Sequence, residues 1–83
     1  MSFTSAELNY LIWRYLQESG LATSTYAFQG ETSAHALDQK YGQNTPVGTL
    51  VNVIQKGLQY MAVESSLNLD GSENLNAGPF NLF

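Results

Sequence analysis

His35 and Asp38 lie three residues apart in the stretch SAHALDQKYGQNT. At that spacing two side chains meet on one turn of a helix. An imidazole beside a carboxylate is the beginning of a metal site, or of a general base with its orienting group. Neither chemistry can be completed here. His35 is the only histidine of the 83 residues and the chain has no cysteine, which removes multi-histidine sites, thiolate sites and disulfides together. No nucleophile motif surrounds the pair, and no glycine loop of the phosphate-binding type is present. Asp70 and Glu73, in LDGSENL, fall far short of the ligands a calcium loop needs. The expectation is a chain that is not an enzyme and needs no cofactor, with His35 and Asp38 on a solvated loop or a frayed helical turn.

Charge and length narrow the remaining classes. The formal net charge is −4, and Arg14, Lys40 and Lys56 are the only fixed cations. Phosphate backbones and anionic bilayers both demand clustered cations, so direct nucleic-acid and membrane binding are disfavoured. No apolar run approaches the roughly 20 residues of a spanning helix. The opening MSFTSAEL has neither the basic start nor the apolar middle of a signal peptide. At 83 residues the chain sits near the lower limit for a self-sufficient core, and small domains close that deficit with disulfides, metals or oligomerisation. With the first two excluded, oligomerisation remains.

The elements that carry such an assembly are helical. Thr4 and Glu7 have the T-x-x-E spacing of a capping box, and Phe3 and Leu8 that of a hydrophobic staple, which predicts a helix from about Ser5 to Ser19. Gly20 is placed to close it in the left-handed conformation. On this helix Leu8, Leu11, Ile12, Tyr15 and Leu16 share one arc at i, i+3, i+4, i+7, i+8 spacing. Tyr10 and Trp13 fall on another side near Gln17. Large rings with polar tips are enriched where one surface meets another protein, so these two are assigned to a second interface or partner surface, the alternative being packing on later segments of the same chain. Arg14 and Glu18 lie between the faces at i,i+4 spacing, suited to a weak ion pair. Thr23 is the expected cap of a second helix over about Ser24 to Ser33. In it Ala27 is small enough to let another helix approach, and Phe28 should plug the gap between the helices.

The pattern Leu8, Leu11-Ile12, Tyr15-Leu16, Gly20, Ala27-Phe28, Glu31 resembles the LisH (lissencephaly-homology) motif, a helical hairpin that dimerises so that two chains give a four-helix bundle. The resemblance implies an intertwined dimer through Leu8, Leu11, Ile12, Tyr15, Leu16, Ala27 and Phe28, extended to a tetramer by a second interface.

Residues 34–45 read as a polar loop. Thr45 and Pro46 suit the cap and first position of a third helix, expected over about Pro46 to Glu64 and drawn as far as residue 66. Its apolar stripe is Val47, Leu50, Ile54, Leu58 and Met61, widened by Val51, Val53 and Tyr60. Gly57 sits inside that stripe. Glycine costs about 1 kcal/mol within a helix, so a close helix–helix approach at Gly57 is inferred, with a local bend as the alternative. Leu50, Ile54, Gly57, Leu58 and Met61 therefore join the second interface. The stretch PVGTLVNVIQKGLQYMAVESSLNLDGS, and LVNVIQKGLQY within it most of all, resembles the region that follows the LisH motif in transducin-beta-like corepressor subunits and their yeast counterpart in a histone-deacetylase complex. Members of that family continue into a WD-repeat propeller absent from these residues, so an isolated N-terminal domain is expected.

Together these readings give an all-α fold divided into a hairpin (1–33), a loop (34–45), a third helix (46–66) and a partly ordered tail (67–83). The function implied by the resemblance is homo-oligomerisation and scaffolding in a nuclear corepressor, with corepressor polypeptides of a deacetylase complex as partners. A monomeric helix-binding adaptor with the same apolar faces is the alternative.

Overall fold

The computed structural model describes residues 2–66, and all of its regular elements there are helical. Helix α1 (Ser5–Glu18) and helix α2 (Ala22–Thr32) form the hairpin. A 3-10 turn (Ala34–Leu37), the short helix α3 (Asp38–Tyr41) and a second 3-10 turn (Gly42–Asn44) follow, and helix α4 (Thr49–Ser66) completes the described chain. Described residues up to Leu50 form one compact unit, and the rest of α4 belongs to a second. The expectation of a partly ordered tail lies outside the described residues.

The ends of α1 follow their sequence signals. Thr4 Oγ1 accepts from the Glu7 amide at 3.1 Å, and Glu7 Oε1 accepts from the Thr4 amide at 3.0 Å, the reciprocal box. The Thr4 amide first, and then the Thr4 hydroxyl, which donates to the same Oε1 at 2.9 Å, hold the Glu7 carboxyl below its usual value. Replacing Thr4 with Ala leaves the Glu7 amide without its cap acceptor, at a cost of about 1 kcal/mol. In a domain of this size that corresponds to a fall of about 4–8 °C in melting temperature, readable by circular dichroism. At the other end Gly20 adopts φ 77°. Its amide donates to the Gln17 carbonyl at 3.1 Å and the Leu21 amide to the Leu16 carbonyl at 3.0 Å. These two bonds are the paired closure of a Schellman turn.

Three boundaries depart from expectation, each for a local reason. Helix α2 begins at Ala22, because the Schellman turn delivers Leu21 directly to its first turn; Thr23 caps nothing, and Thr25 Oγ1 instead donates to the Leu21 carbonyl at 2.8 Å. Helix α4 begins at Thr49 rather than Pro46. Gly48 takes φ 82°, which no helix can continue through, and the Thr45 hydroxyl donates back to the Tyr41 carbonyl at 2.7 Å instead of capping forward. Residues 34–45 are not a loop. They form the short helical run, entered through Ser33 in the left-handed conformation at φ 55°.

That run completes the core of the first unit. Tyr10, Trp13 and Ala34 are its buried hydrophobic residues, with Leu11, Phe28, Leu37 and Tyr41 packed against them. Ala34, Leu37 and Tyr41 stand at i, i+3, i+7, so the run presents one apolar edge to α1.

Candidate interaction surface

Helix α1 has two faces and the structure uses them oppositely. Tyr10 and Trp13 face inward, only 2% and 6% exposed. Their rings stack with centroids 5.9 Å apart, and Tyr41 tilts against Tyr10 at 6.1 Å. Trp13 Nε1 donates to Gln29 Oε1 of α2 at 3.1 Å, so the indole has its polar partner inside the chain. The assignment of Tyr10 and Trp13 to a partner surface is thereby corrected: of the two readings their side chains allow, packing against later segments of the same chain is the one realised.

A polar clamp holds this arrangement. The Tyr10 hydroxyl donates to Asp38 Oδ1 at 2.6 Å and accepts from Arg14 Nη1 at 2.9 Å. Arg14 also grips Glu18 Oε2 through Nε at 3.2 Å and Nη2 at 3.1 Å, and the Thr45 carbonyl through Nη2 at 2.8 Å. Glu18 Oε1 accepts from the Gly48 amide at 3.0 Å. The expected Arg14–Glu18 pair is thus present, with a larger task than a surface ion pair: it ties α1 to residues 45–48. Asp38, weighed only as a partner for His35, serves this clamp. Sequence carried one usable signal for it, the apolar spacing of Ala34, Leu37 and Tyr41; the reach from Asp38 to Tyr10 has none.

Burial raises the pKa of the Tyr10 hydroxyl, reinforced by the hydrogen bond to Asp38 and opposed by Arg14. A phenol whose folded value lies above its unfolded value of about 10 contributes stability that is complete below that value and is lost as pH rises through the folded one. Melting temperature should therefore fall as pH is raised above about 10. The fall should be shallower in Tyr10→Phe, as a calorimetric pH series would register.

The opposite face of α1 has no such cover. Leu8 and Tyr15 are each 41% exposed, and Leu11, Ile12 and Leu16 between them are half-buried. On α2, Ala27 is exposed on the side away from buried Thr25, while Phe28 is half-buried against the core of its own chain. The seven residues assigned to the dimer seam thus divide. Leu8, Ile12, Tyr15 and Leu16 form an apolar arc on α1, Ala27 stands on the back of α2, and Leu11 and Phe28 are largely spent internally. Helix α4, taken by itself, presents Ile54 at 48% and Met61 at 44% exposure on one stripe, with Gly57 also exposed and Leu50 and Leu58 half-buried. A Cβ built on Gly57 meets nothing within 4 Å. The helical assignment runs through Gly57 without a bend.

No three metal-ligating side chains cluster among the described residues, and no described helix is long and apolar enough to cross a membrane. What the geometry offers is apolar surface.

Residues 6–32, which span the hairpin, match the LisH family model. The chain belongs, more particularly, with the LisH-bearing transducin-beta-like proteins. It is 49% identical over 77 residues to SIR4-interacting protein SIF2 of Saccharomyces cerevisiae, covering 93% of this chain and 14% of that protein. It is 44% identical over 72 residues to F-box-like/WD repeat-containing protein TBL1Y of Homo sapiens, covering 87% of this chain and 14% of that one. To WD40 repeat-containing protein HOS15 of Arabidopsis thaliana it is 44% identical over 69 residues, covering 81% of this chain and 11% of the relative. The chain thus spans about one-seventh or less of the length of these relatives. No solved structure gives a significant match.

Proposed function

We propose that this chain is a homo-oligomerising scaffold of a nuclear transcriptional corepressor. Two copies pair through the α1 arc of Leu8, Ile12, Tyr15 and Leu16, with Ala27 at the edge, into a four-helix bundle. The observation that carries the reading is the uncovered arc itself. The first unit already has an internal face in Tyr10 and Trp13, with Leu11 packed beside them, yet it leaves Leu8 and Tyr15 exposed and Ile12 and Leu16 only half-buried on another face of the same helix. One self-complementary patch leads to a closed symmetric pair. The α4 stripe then joins pairs into a tetramer or receives a partner helix along its i, i+3, i+4, i+7 positions. An oligomeric platform raises the avidity of whatever each copy binds. Partners of the class named for one relative, a SIR4-interacting protein, and corepressor polypeptides of a deacetylase complex fit the resemblance.

Gly57→Ala tests the role of α4. In an isolated helix it gains up to about 1 kcal/mol, since nothing lies within 4 Å of the new methyl. If another copy packs there, the same methyl separates the backbones, so light scattering at fixed concentration should report a smaller mean mass while helicity is unchanged or higher. A raised melting temperature with wild-type mass would remove Gly57 from the interface. A chain that holds 9.1 kDa at tens of micromolar, wild type and variant alike, would instead be the monomeric helix-binding adaptor.

A further inference from the structure

Thr45 occupies the place of a helix cap and does not act as one. It is extended, at φ −113° and ψ 100°, as a residue before proline must be. Its neighbours Gln43, Asn44, Pro46 and Val47 are all exposed, and Thr45 itself is half-buried. We propose that Thr45 is the acceptor of a proline-directed protein kinase, and that its phosphate opens the clamp holding residues 42–48 on α1. Such kinases take their acceptor in an extended stretch with proline next in the chain, where the fixed φ and missing N–H are distinctive. This is the only such step in the sequence: of its two prolines, Pro46 follows Thr45 and Pro79 follows Gly78.

In the transfer, Thr45 Oγ1 attacks the γ-phosphorus of ATP. The new P–O bond forms at Oγ1, the β–γ bridging bond breaks to release ADP, and the hydroxyl proton passes to the kinase's catalytic carboxylate.

The consequence follows from what surrounds Thr45. Its hydroxyl now donates to the Tyr41 carbonyl at 2.7 Å, and a phosphoester oxygen has no hydrogen to give. Its carbonyl is held by Arg14 Nη2 at 2.8 Å, so the phosphate arrives beside that guanidinium. Arg14 already faces two carboxylates, Glu18 at 3.1 Å and Asp38 at 3.8 Å. A further charge of about −1.5 to −2 competes with Glu18 for Arg14 and repels both carboxylates. Glu18 in turn holds the Gly48 amide, so its displacement frees the turn that precedes α4.

The test incubates the folded 83-residue chain with a recombinant proline-directed kinase and ATP, locates phosphate by mass spectrometry, and follows amide exchange over residues 42–49. The expected result is phosphate at Thr45, none in Thr45→Ala, and exchange at Gly48 and Thr49 faster by about tenfold or more. Thr45→Val, which removes the same donor without adding charge, should give a smaller acceleration. Phosphate accepted only after thermal unfolding would overturn the proposal. So would a phosphorylated chain whose exchange equals that of Thr45→Val.

Discussion

Trp13→Ala should abolish the folded first unit rather than merely reduce its assembly. The indole is 6% exposed, stacks on Tyr10 and donates to Gln29, so its removal empties the centre of a three-residue core and orphans an amide oxygen. Large aromatic-to-alanine changes in cores cost about 3–5 kcal/mol, comparable with the whole stability of a domain this small. Far-ultraviolet dichroism at 25 °C should show most helicity lost. Trp13→Phe should retain the fold at reduced stability, since it keeps an aromatic ring beside Tyr10 while losing the bond to Gln29, worth about 1 kcal/mol, and the burial of the indole's second ring. A well-folded Trp13→Ala chain of reduced mass would return this residue to an interface and contradict its place in the core.

Tyr15→Glu should do the reverse, leaving the fold and breaking the pair. Tyr15 is 41% exposed and lies outside the buried cluster of Tyr10, Trp13 and Ala34, so a carboxylate there can reach water in the isolated chain. In a bundle seamed by Leu8, Ile12 and Leu16 the same carboxylate would be desolvated without a partner, at a cost of several kcal/mol. The expected outcome is a helical chain whose mass has fallen to that of one copy, read by light scattering. An unchanged mass would move the seam off this face.

These opposite outcomes mark where sequence reading succeeded and where it stopped. Local chemistry was legible: the Thr4–Glu7 box and the Gly20 turn are each written within a few residues, and both are in place. What escaped was which face of α1 meets its own chain. Tyr10 and Trp13 became core because Ala34, Leu37 and Tyr41 come round to cover them, and that cover comes from a stretch whose polar composition reads as loop. Its key bond, from Tyr10 to Asp38, spans 28 positions and depends on the chain's return path, which no local pattern encodes. The start of α4 was misplaced for a smaller reason. Thr45-Pro46 is a good helix opening in isolation, but Gly48 two positions beyond the proline turns left-handed and Arg14 claims the Thr45 carbonyl.

The clamp also explains why α1 can serve two masters. Arg14 and Glu18 lie at the border between its inward and outward faces, and they fix residues 42–48 without using any residue of the outward arc. The clamp therefore leaves Leu8, Ile12, Tyr15 and Leu16 unused while the unit remains folded, as the proposed pairing with a second copy requires.

The central claim is that this arc is covered in solution by another copy of the chain. Sedimentation equilibrium of the wild-type chain, from below one micromolar to about 100 micromolar, tests it most directly. Pairing gives a mass that rises with concentration to at least twice the 9.1 kDa of one copy, and a Tyr15→Glu chain that stays at one copy throughout. A wild-type chain that sediments as 9.1 kDa across the whole range would contradict it.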